Sequence, residues 1–384
     1  MSADLPLSGI RVIELCWVWS GPLLGQYLAD LGAEVIKIEW YKRYDLYRMR
    51  GVERMAGKYP DFIRREMSQS FHGLNRNKVG VTLDLKIETH RDALLDLAKD
   101  SDIVIENFTS GTLDRLGVGF DALVKVNPKI ILLSLAGFGA TSRLSDMRAY
   151  GLVLSALSGL EANITDPKTG EFVGSPTFVA SDPNAATYGL NASIAAILQA
   201  KRTGEGAHIE LSQLEAAAHA ATDNEEDLLT LADSLGFPAT FEYNESSILA
   251  TKSGEHLCVA WPNTMSESDV ARLSHQTPEM TVDEAKKQFE RLGVPCVRIL
   301  EEVSEVGAGA ANEGTLIATI HPTTGPENIV AAPWWIDGHR APLRKTAPML
   351  GEGNSYVLGK LLGWSPDEVE VVGKFDLERR DGSK

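Results

Sequence analysis

The sequence predicts an α/β fold in which parallel strands alternate with helices. Residues 10–15 and 34–39 are apolar segments with β-type composition, and a segment with helical periodicity lies between them. A strand, a helix and a strand joined by short links form a βαβ unit, which requires a parallel sheet. No GxGxxG motif occurs in this unit, so a dinucleotide-binding fingerprint is not predicted.

The same alternation continues through the first half of the chain. Further strands are predicted at residues 79–85, 102–106, 129–135 and 207–211, and helices at residues 88–100, 113–125 and 183–202. The strand at 129–135 runs into the loop AGFG at 136–139. Ligands bind at the carboxyl ends of the strands in open α/β sheets, so this loop is a predicted binding position.

The character of the sequence changes near Asn224. Residues 225–325 mix short strand-type segments with charged helices, and the chain then continues to a final predicted helix at 356–362. We therefore predict a Rossmann-like large domain at residues 1–224, a smaller inserted α/β domain at 225–325, and a C-terminal return to the large domain at 326–384.

The charge of the chain limits its partners. The 384 residues include 37 Lys and Arg against 53 Asp and Glu, which gives a formal net charge of −16. A strongly acidic chain is repelled by nucleic acid and by anionic membranes, so we predict neither as a partner. An anionic small ligand stays compatible, because a local cluster of basic side chains and backbone N–H groups is enough to bind it.

The cysteines and the first residues indicate the class of protein. Cys16, Cys258 and Cys296 are far apart and no CxxC motif is present, so we predict no disulfide framework, no zinc ribbon and no metal. The start MSADLPLSG lacks the features of a signal peptide, and no run approaches the roughly 20 apolar residues of a membrane span. We expect a cytoplasmic protein.

Asp182 stands at the start of a long helix of small residues. It occupies the predicted N-cap, Pro183 takes the first helical position, and Gly204 and Gly206 end the helix. One interpretation is that Asp182 only caps the helix. The other is a nucleophile, because the free N–H groups of a helix N-terminus favour an ionised carboxylate that can attack an acyl carbon.

Ordered motifs extend from about Leu7 to Leu211 and again from about Gly293 to Val369. They include LSGIRVIEL, LADLGAEVIKIE, LNRNKVGVTLDLK, DIVIENFTSGTLDRLGVGF, NPKIILLSLAGFG, RTGEGAHIELS and APMLGEG. Together with Asp182 they resemble the family III CoA-transferases, the group that contains formyl-CoA transferase and carnitine CoA-transferase. Residues 225–290 match this pattern poorly.

The resemblance implies an enzyme whose two chains interlock, with the small domain between the first and last parts of the large one. It implies that Asp182 attacks an acyl-CoA thioester and that CoA passes to a carboxylic acid through aspartyl-anhydride and aspartyl-CoA thioester intermediates. An anhydride keeps the activation of a thioester, so no ATP is needed, and the site must exclude water. Coenzyme A is then substrate and product.

The resemblance also assigns residues to CoA. Val18, Trp19 and Ser20 match the loop at its thioester end, and Leu74, Asn75 and Lys78 match the adenine and ribose contact. Asn107, Phe108 and Arg115 resemble the nucleotide and phosphate site. Arg148 matches a basic residue near the phosphates, and Tyr150 is implied beside the reacting centre. The alternatives are a solvated helix residue for Arg115 and a core aromatic for Phe108.

Departures from the formyl-CoA enzymes bear on the substrate. Trp19 and Trp40 replace a polar residue and an arginine, Gly151 replaces an acid, and the glycine-rich loop of oxalate-using members is not found, so oxalate is not the expected acceptor. Trp17, Trp19, Trp40 and Tyr41 either suit an aromatic acyl group or pack in the core. The stretch WVWSGP resembles the succinyl-CoA:benzylsuccinate type of transferase.

We therefore expect an acyl-CoA donor such as succinyl-CoA and a carboxylic acid acceptor such as benzylsuccinate. The resemblance implies that the active form is a homodimer or a heteromer with a related subunit. One alternative is an α-methylacyl-CoA racemase, which needs a histidine as second acid/base where this chain has Tyr150 and Gly151. The other is a non-catalytic subunit of a heteromeric transferase, against which Asp182 argues.

Overall fold

The computed structural model describes residues 5–161, 169–173, 180–219, 243–299 and 315–380. The chain separates into two compact units, Met1–Ala221 with Gly314–Lys384, and Thr222–Glu313. The domain limits predicted from the sequence stay a prediction, since compactness alone does not establish an independently folding domain.

A six-stranded parallel sheet forms the centre of the first unit. Its strands are β1 (Arg11–Leu15), β2 (Glu34–Glu39), β3 (Lys78–Thr82), β4 (Ile103–Glu106), β5 (Ile131–Ala136) and β6 (Ala207–Ser212). Their order is β3-β2-β1-β4-β5-β6, with every neighbouring pair parallel. The predicted parallel α/β sheet is confirmed. The strand order changes direction between β1 and β4, which is the topological switch point where such sheets bind ligands.

Helices connect these strands. They are α1 (Ser20–Asp30), α2 (Asp61–Arg64), α3 (Gln69–Asn75), α4 (Glu88–Lys99), α5 (Thr112–Arg115), α6 (Phe120–Val126), α7 (Gly151–Leu157), α8 (Ser181–Thr203) and α9 (Gln213–Ala218). Single 3₁₀ turns lie at Leu46–Arg48 and Glu53–Met55. The helix predicted at 113–125 is wrong, because Gly117 adopts φ +77° and separates α5 from α6.

Each face of the sheet packs on a separate core. Ile13, Ile36 and Val104 point to one side, together with Leu94 and Leu97 of α4. Their chain neighbours Val12, Val35 and Ile105 point to the other side, together with Leu24 and Leu28 of α1 and Ala186 and Ile197 of α8. Gly189 of α8 lies where a Cβ atom would come within 3.0 Å of Leu24, so small residues bring α8 close to α1.

In its described residues, 243–299, the second unit contains a small antiparallel sheet and two helices. It contains β7 (Tyr243–Ala250), β8 (His256–Pro262) and β9 (Cys296–Arg298), with α10 (Glu267–Gln276), a 3₁₀ turn (Thr277–Glu279) and α11 (Val282–Arg291). Thr281 and Glu284 form a capping box at the start of α11. Trp261 and Phe289 meet edge to face in its core.

The C-terminal segment returns to the first unit. It contains β10 (Leu316–His321) paired with β11 (Gly325–Val330), β12 (Trp335–Ile336) paired with β13 (His339–Arg340), a π-helical segment (Ser355–Leu361) and α12 (Pro366–Arg380). Asn354 accepts the Thr82 N–H at 2.9 Å and donates to the Thr82 hydroxyl at 2.8 Å, which fixes this segment against β3. Within the part of the chain that is described, no helix has the length and apolar character needed to cross a membrane.

Candidate active site

The loops that follow β1 and β4 join at the switch point of the sheet. Asn107 accepts the Trp17 N–H at 2.9 Å and donates to the Trp17 carbonyl oxygen at 2.7 Å. Leu15 and Glu106, the last residues of the two strands, are register partners. The two predicted CoA-binding segments around Ser20 and Asn107 are therefore side by side, although almost 90 residues separate them.

The loop after β1 has a strained backbone. Val18 adopts φ +72°, a conformation that costs a β-branched residue about 1–3 kcal/mol. Its N–H is held by the Asp45 carboxylate at 2.9 Å. A Cβ atom on Gly21 would come within 2.4 Å of the Cys16 sulfur, so only glycine allows α1 to begin so close to the end of β1.

Asp182 contacts the residue that follows this loop, Ser20. The structure also corrects its predicted role as N-cap. The N-cap residue of α8 is Ala180, whose side chain makes no capping hydrogen bond, and Asp182 lies inside the first turn. Pro183 remains compatible with the helix, because N–H groups of the first turn have no intrahelical partner. The Asp182 carboxylate accepts the backbone N–H of Ser20 instead, so α1 and α8 start at the same place.

Burial dominates the electrostatics of Asp182. Loss of contact with water raises the pKa of its carboxyl group, and the hydrogen bonds from the Ser20 N–H and the Ser181 hydroxyl lower it by less. The net pKa is raised, whereas the position at a helix N-terminus was expected to favour the ionised form and so to lower it. An anion that has already lost part of its hydration needs less desolvation before it attacks an acyl carbon.

The segment around Tyr150 lies next to Asp182 through its backbone. The Ser181 hydroxyl is within hydrogen-bond reach of both the Asp182 carboxylate and the Gly151 carbonyl oxygen, the latter at 3.0 Å. The side chain of Tyr150 is 65% exposed, and Arg148 is exposed as well. The structure thus links Gly151, the residue after Tyr150, to the Asp182 carboxylate through the Ser181 hydroxyl.

A fully buried group of charges lies beneath the β1 loop. Lys37 donates to Glu14 at 2.9 Å and to the Cys16 carbonyl oxygen at 2.7 Å, and it lies 3.0 Å from Asp45. Burial disfavours the charge on Lys37, but the two carboxylates outweigh burial and raise its pKa. The ammonium group therefore stays charged and links the end of β1 to the residue that holds Val18.

Lys78 and Asn75 belong to the same buried group. Lys78 lies 2.7 Å from Glu14 and donates to the Pro22 carbonyl oxygen and to Asn75, both at 2.8 Å. Both side chains are fully buried, and burial lowers the Lys78 pKa to about 8 against the attraction of Glu14. In this structure they support the start of α1 and do not face an open surface. Leu74 is half-buried and packs in one cluster with Val18 and Trp19.

The loop after β4 is more open. The Phe108 ring meets the Trp17 ring edge to face at 5.5 Å, and the Phe108 N–H donates to Glu106 at 2.7 Å. Arg115 is exposed and donates to the Thr112 hydroxyl at 2.9 Å and to the Ser110 carbonyl oxygen at 3.3 Å. Phe108 therefore lies with the central residues, and Arg115 lies at the outer end of the loop.

The four aromatic residues considered for an acyl pocket separate in the fold. Trp40 and Tyr41 are buried in the core on the α4 side of the sheet, as the core-packing alternative predicts. Trp17 and Trp19 are half-buried in the β1 loop. Only this second pair lies at the switch point.

A small cavity of about 50 Å³ is lined by residues of β4, β5 and β6, and Asp182 is not among its lining residues. Its lining includes the carboxylates of Glu106, Asp114 and Glu210. Burial raises the Glu106 pKa to about 7. The negative lining and small volume do not fit the anionic nucleotide of CoA.

The sequence prediction missed the residues that hold the β1 loop. Glu14 and Lys37 carried a signal, because each is a charged residue inside an apolar strand of a parallel sheet, where an unpaired charge is costly. Asp45 and Tyr47 carried none, since they lie in the polar stretch 41–72. Their positions depend on contacts with the strands.

The chain belongs to CoA-transferase family III, whose family model matches residues 7–232. It is 36% identical over 215 residues to the succinate–glutarate CoA-transferase of Agrobacterium fabrum, across 55% of this chain and 51% of that protein. It is 34% identical to the succinyl-CoA:glutarate CoA-transferase of Mus musculus, across 54% of this chain and 45% of that protein. The chain thus matches about half the length of these curated relatives.

A solved structure has the same fold over almost the whole chain. A CAIB/BAIF family protein from Brucella suis superposes with a TM-score of 0.76 and 23% identity, covering 94% of this chain and 100% of that one. At this identity the similarity supports the fold alone.

Proposed function

We propose that the protein transfers CoA from an acyl-CoA donor to a carboxylic acid, with Asp182 as the nucleophile. The observation that carries this proposal is the half-buried Asp182 carboxylate, which lies at the switch point and accepts the Ser20 N–H. Membership in CoA-transferase family III supports the reaction class.

Asp182 first attacks the thioester carbonyl carbon, which forms an aspartyl–acyl anhydride and releases the CoA thiolate. The thiolate attacks the aspartyl carbonyl, which releases the donor acid and leaves an aspartyl-CoA thioester. The acceptor carboxylate then attacks this thioester, giving a second anhydride and the thiolate again. Attack of the thiolate on the acceptor acyl carbon yields the new acyl-CoA and restores Asp182.

The surrounding residues take different parts in this scheme. Val18, Trp19, Ser20, Leu74, Asn107 and Phe108 line the CoA thioester and nucleotide, and Arg115, Arg148 and Tyr150 lie towards its phosphates and the reacting centre. Asn75 and Lys78 act as positioning residues, because their contacts are to the buried Glu14 and to the start of α1. The Ser20 N–H keeps the Asp182 carboxylate directed to the loop.

Succinyl-CoA is the proposed donor, and an aromatic dicarboxylic acid such as benzylsuccinate is the proposed acceptor. Two of the relatives are named for succinate or succinyl-CoA together with glutarate. Trp17 and Trp19, half-buried beside Asp182's partner Ser20, offer aromatic surface for a phenyl group. The proposed assembly is an interlocked dimer of this chain, or of this chain with a related subunit.

Trapping of the covalent intermediate tests the proposal. After incubation with succinyl-CoA and then hydroxylamine, we expect the peptide that contains Asp182 to carry a hydroxamate, detected by mass spectrometry. Asp182→Ala should lower transfer about 10⁴-fold or more and leave CoA binding by calorimetry intact. An unmodified Asp182 with every acyl-CoA tried would refute the nucleophile. Deuterium uptake at the α-carbon of a 2-methylacyl-CoA without an acceptor acid would indicate a racemase instead.

A further inference from the structure

Beside the candidate site, an exposed arginine stacks on a buried tyrosine. We propose that Arg50 binds the remote carboxylate of a dicarboxylic acyl group while the other end of that group reacts at Asp182. The inference rests on the proposed transferase function and adds the residue that selects dicarboxylic over monocarboxylic acyl groups.

The Arg50 side chain has a fixed place. Its Nη1 donates to the Tyr47 hydroxyl oxygen at 2.5 Å, and its guanidinium carbon lies 4.7 Å from the centre of the Tyr47 ring. The Ser68 hydroxyl donates to the Arg50 carbonyl oxygen at 2.7 Å, which holds the backbone as well. Tyr47 itself is only 8% exposed. The guanidinium is therefore held on a rigid support.

Two sets of contacts connect this support to Asp182. The Asp45 carboxylate that accepts the Val18 N–H also accepts the Tyr47 N–H, at 3.0 Å. Tyr47 packs in one cluster with Val18 and Trp19, and the next residue, Ser20, donates to Asp182. In addition to burial, the negative charge of Asp182 raises the Tyr47 pKa, so the two groups lie within electrostatic range.

Arg50 differs from its neighbour Arg48. Arg48 is fully buried and donates to Glu39, Glu66 and the Pro348 carbonyl oxygen. Among the described residues Arg50 has no carboxylate partner, and it is exposed. A guanidinium has five N–H donors in a planar fork, so the bond to Tyr47 leaves enough donors for a bidentate carboxylate.

The chemistry of the proposed substrates fits this arrangement. Succinyl and benzylsuccinyl groups each have a second carboxylate, which stays ionised during transfer. Without a cation near Asp182, such a group would bring its charge towards another carboxylate in a chain with net charge −16. Arg50 offsets this repulsion, and a monocarboxylic acyl group gains nothing from it.

The half-reaction with the donor alone isolates this effect. The rate at which Asp182 becomes trapped by hydroxylamine is measured with succinyl-CoA and with butyryl-CoA, which has a methyl group in place of the carboxylate. We expect Arg50→Gln to lower the succinyl rate by roughly 10–100-fold, the effect of a charge-assisted hydrogen-bonded pair. The butyryl rate should stay unchanged, and Arg50→Lys should recover part of the succinyl rate.

Arg54→Gln is the matched control, because Arg54 is exposed, lies four residues further and has the same charge. It should leave the ratio of the two rates at the wild-type value. If Arg50→Gln leaves the ratio of the succinyl rate to the butyryl rate at the wild-type value, for instance because both rates fall equally, the role of Arg50 is refuted and the transferase function is not. If neither donor labels Asp182 in the wild type, the transferase function is refuted, and this inference with it.

Discussion

The loops after β1 and β4 lie side by side but are held in different ways. The β1 loop, residues 16–19, is bound from below by buried charges, with Lys37 on the Cys16 carbonyl oxygen and Asp45 on the Val18 N–H. The β4 loop, residues 107–111, is held by Asn107 at its inner end and by exposed contacts of Arg115 at its outer end. The interior therefore fixes the residues nearest Asp182, and surface contacts fix those further out.

This difference in support indicates which of the two loops tolerates amino-acid substitutions. A strained conformation such as that of Val18 persists only where surrounding contacts over-determine it. Removal of a partner in a buried charge group leaves an uncompensated charge, whereas removal of an exposed hydrogen bond leaves a group that water can satisfy. We expect substitutions at the β1 loop to change stability and chemistry together, and those at the outer β4 loop to change ligand affinity alone.

The largest effect is expected from Asp45→Ala. It removes one carboxylate from Lys37 and leaves the Val18 and Tyr47 N–H groups without an acceptor, so the free energy of unfolding should fall by about 3–5 kcal/mol. Urea denaturation measures this loss. Asp114→Ala, which removes an exposed carboxylate beside the β4 loop, is the control and should stay within about 0.5 kcal/mol of wild type. A similar loss in both variants would contradict the contrast between the loops.

Asn107→Ala should have an intermediate effect. The substitution removes both hydrogen bonds to Trp17 and should lower the free energy of unfolding by about 1–3 kcal/mol. The rate of Asp182 labelling should fall as well, because the β1 loop loses its lateral contact. Slower labelling with unchanged stability would mean that Asn107 acts by contact with CoA and not by joining the loops.

Asp182→Asn tests the free-energy cost of burying the ionised Asp182 carboxylate. Burial raises the folded-state pKa of Asp182 above its ordinary value of 3.8, so the native state disfavours the ionised form. Asparagine should therefore increase the free energy of unfolding near pH 7, and the gain should shrink as the pH falls through the folded-state pKa. Wild-type transfer should also decline on acidification before pH 3.8 is reached. A variant less stable than wild type at pH 7 would contradict the assigned direction.

Arg115→Ala should have the smallest effect on the fold. Arg115 is exposed, so stability should change by no more than about 0.5 kcal/mol. If it contacts the phosphates, the KM for acyl-CoA rises several-fold at low ionic strength and the difference narrows in high salt. Lys129→Ala, just before the amino end of β5, should leave KM unchanged. The same KM in all three proteins would exclude a phosphate contact for Arg115.

Much of the large unit could be predicted because its signals are local. The strand at Glu34–Glu39 and the end of α8 at Gly204 agree with the pattern, since apolar runs and a glycine in the left-handed region depend on adjacent residues. The break at Gly117 was missed because the apolar spacing continues across it. The place of Asp182 inside α8 was missed for a related reason, because Asp-Pro fits either of two positions in a first turn.

The sequence by itself determined the alternation of strands and helices, the family motifs and the aspartate at the start of α8. Only the tertiary structure decided that Asp182 binds the Ser20 N–H, that Lys78 turns inward, and that the Arg50 guanidinium stacks on Tyr47. The physical reason is distance along the chain: periodicity and turns are set by near neighbours. The pKa of a buried carboxylate and the partner of a buried amine are set by residues that the sheet brings together.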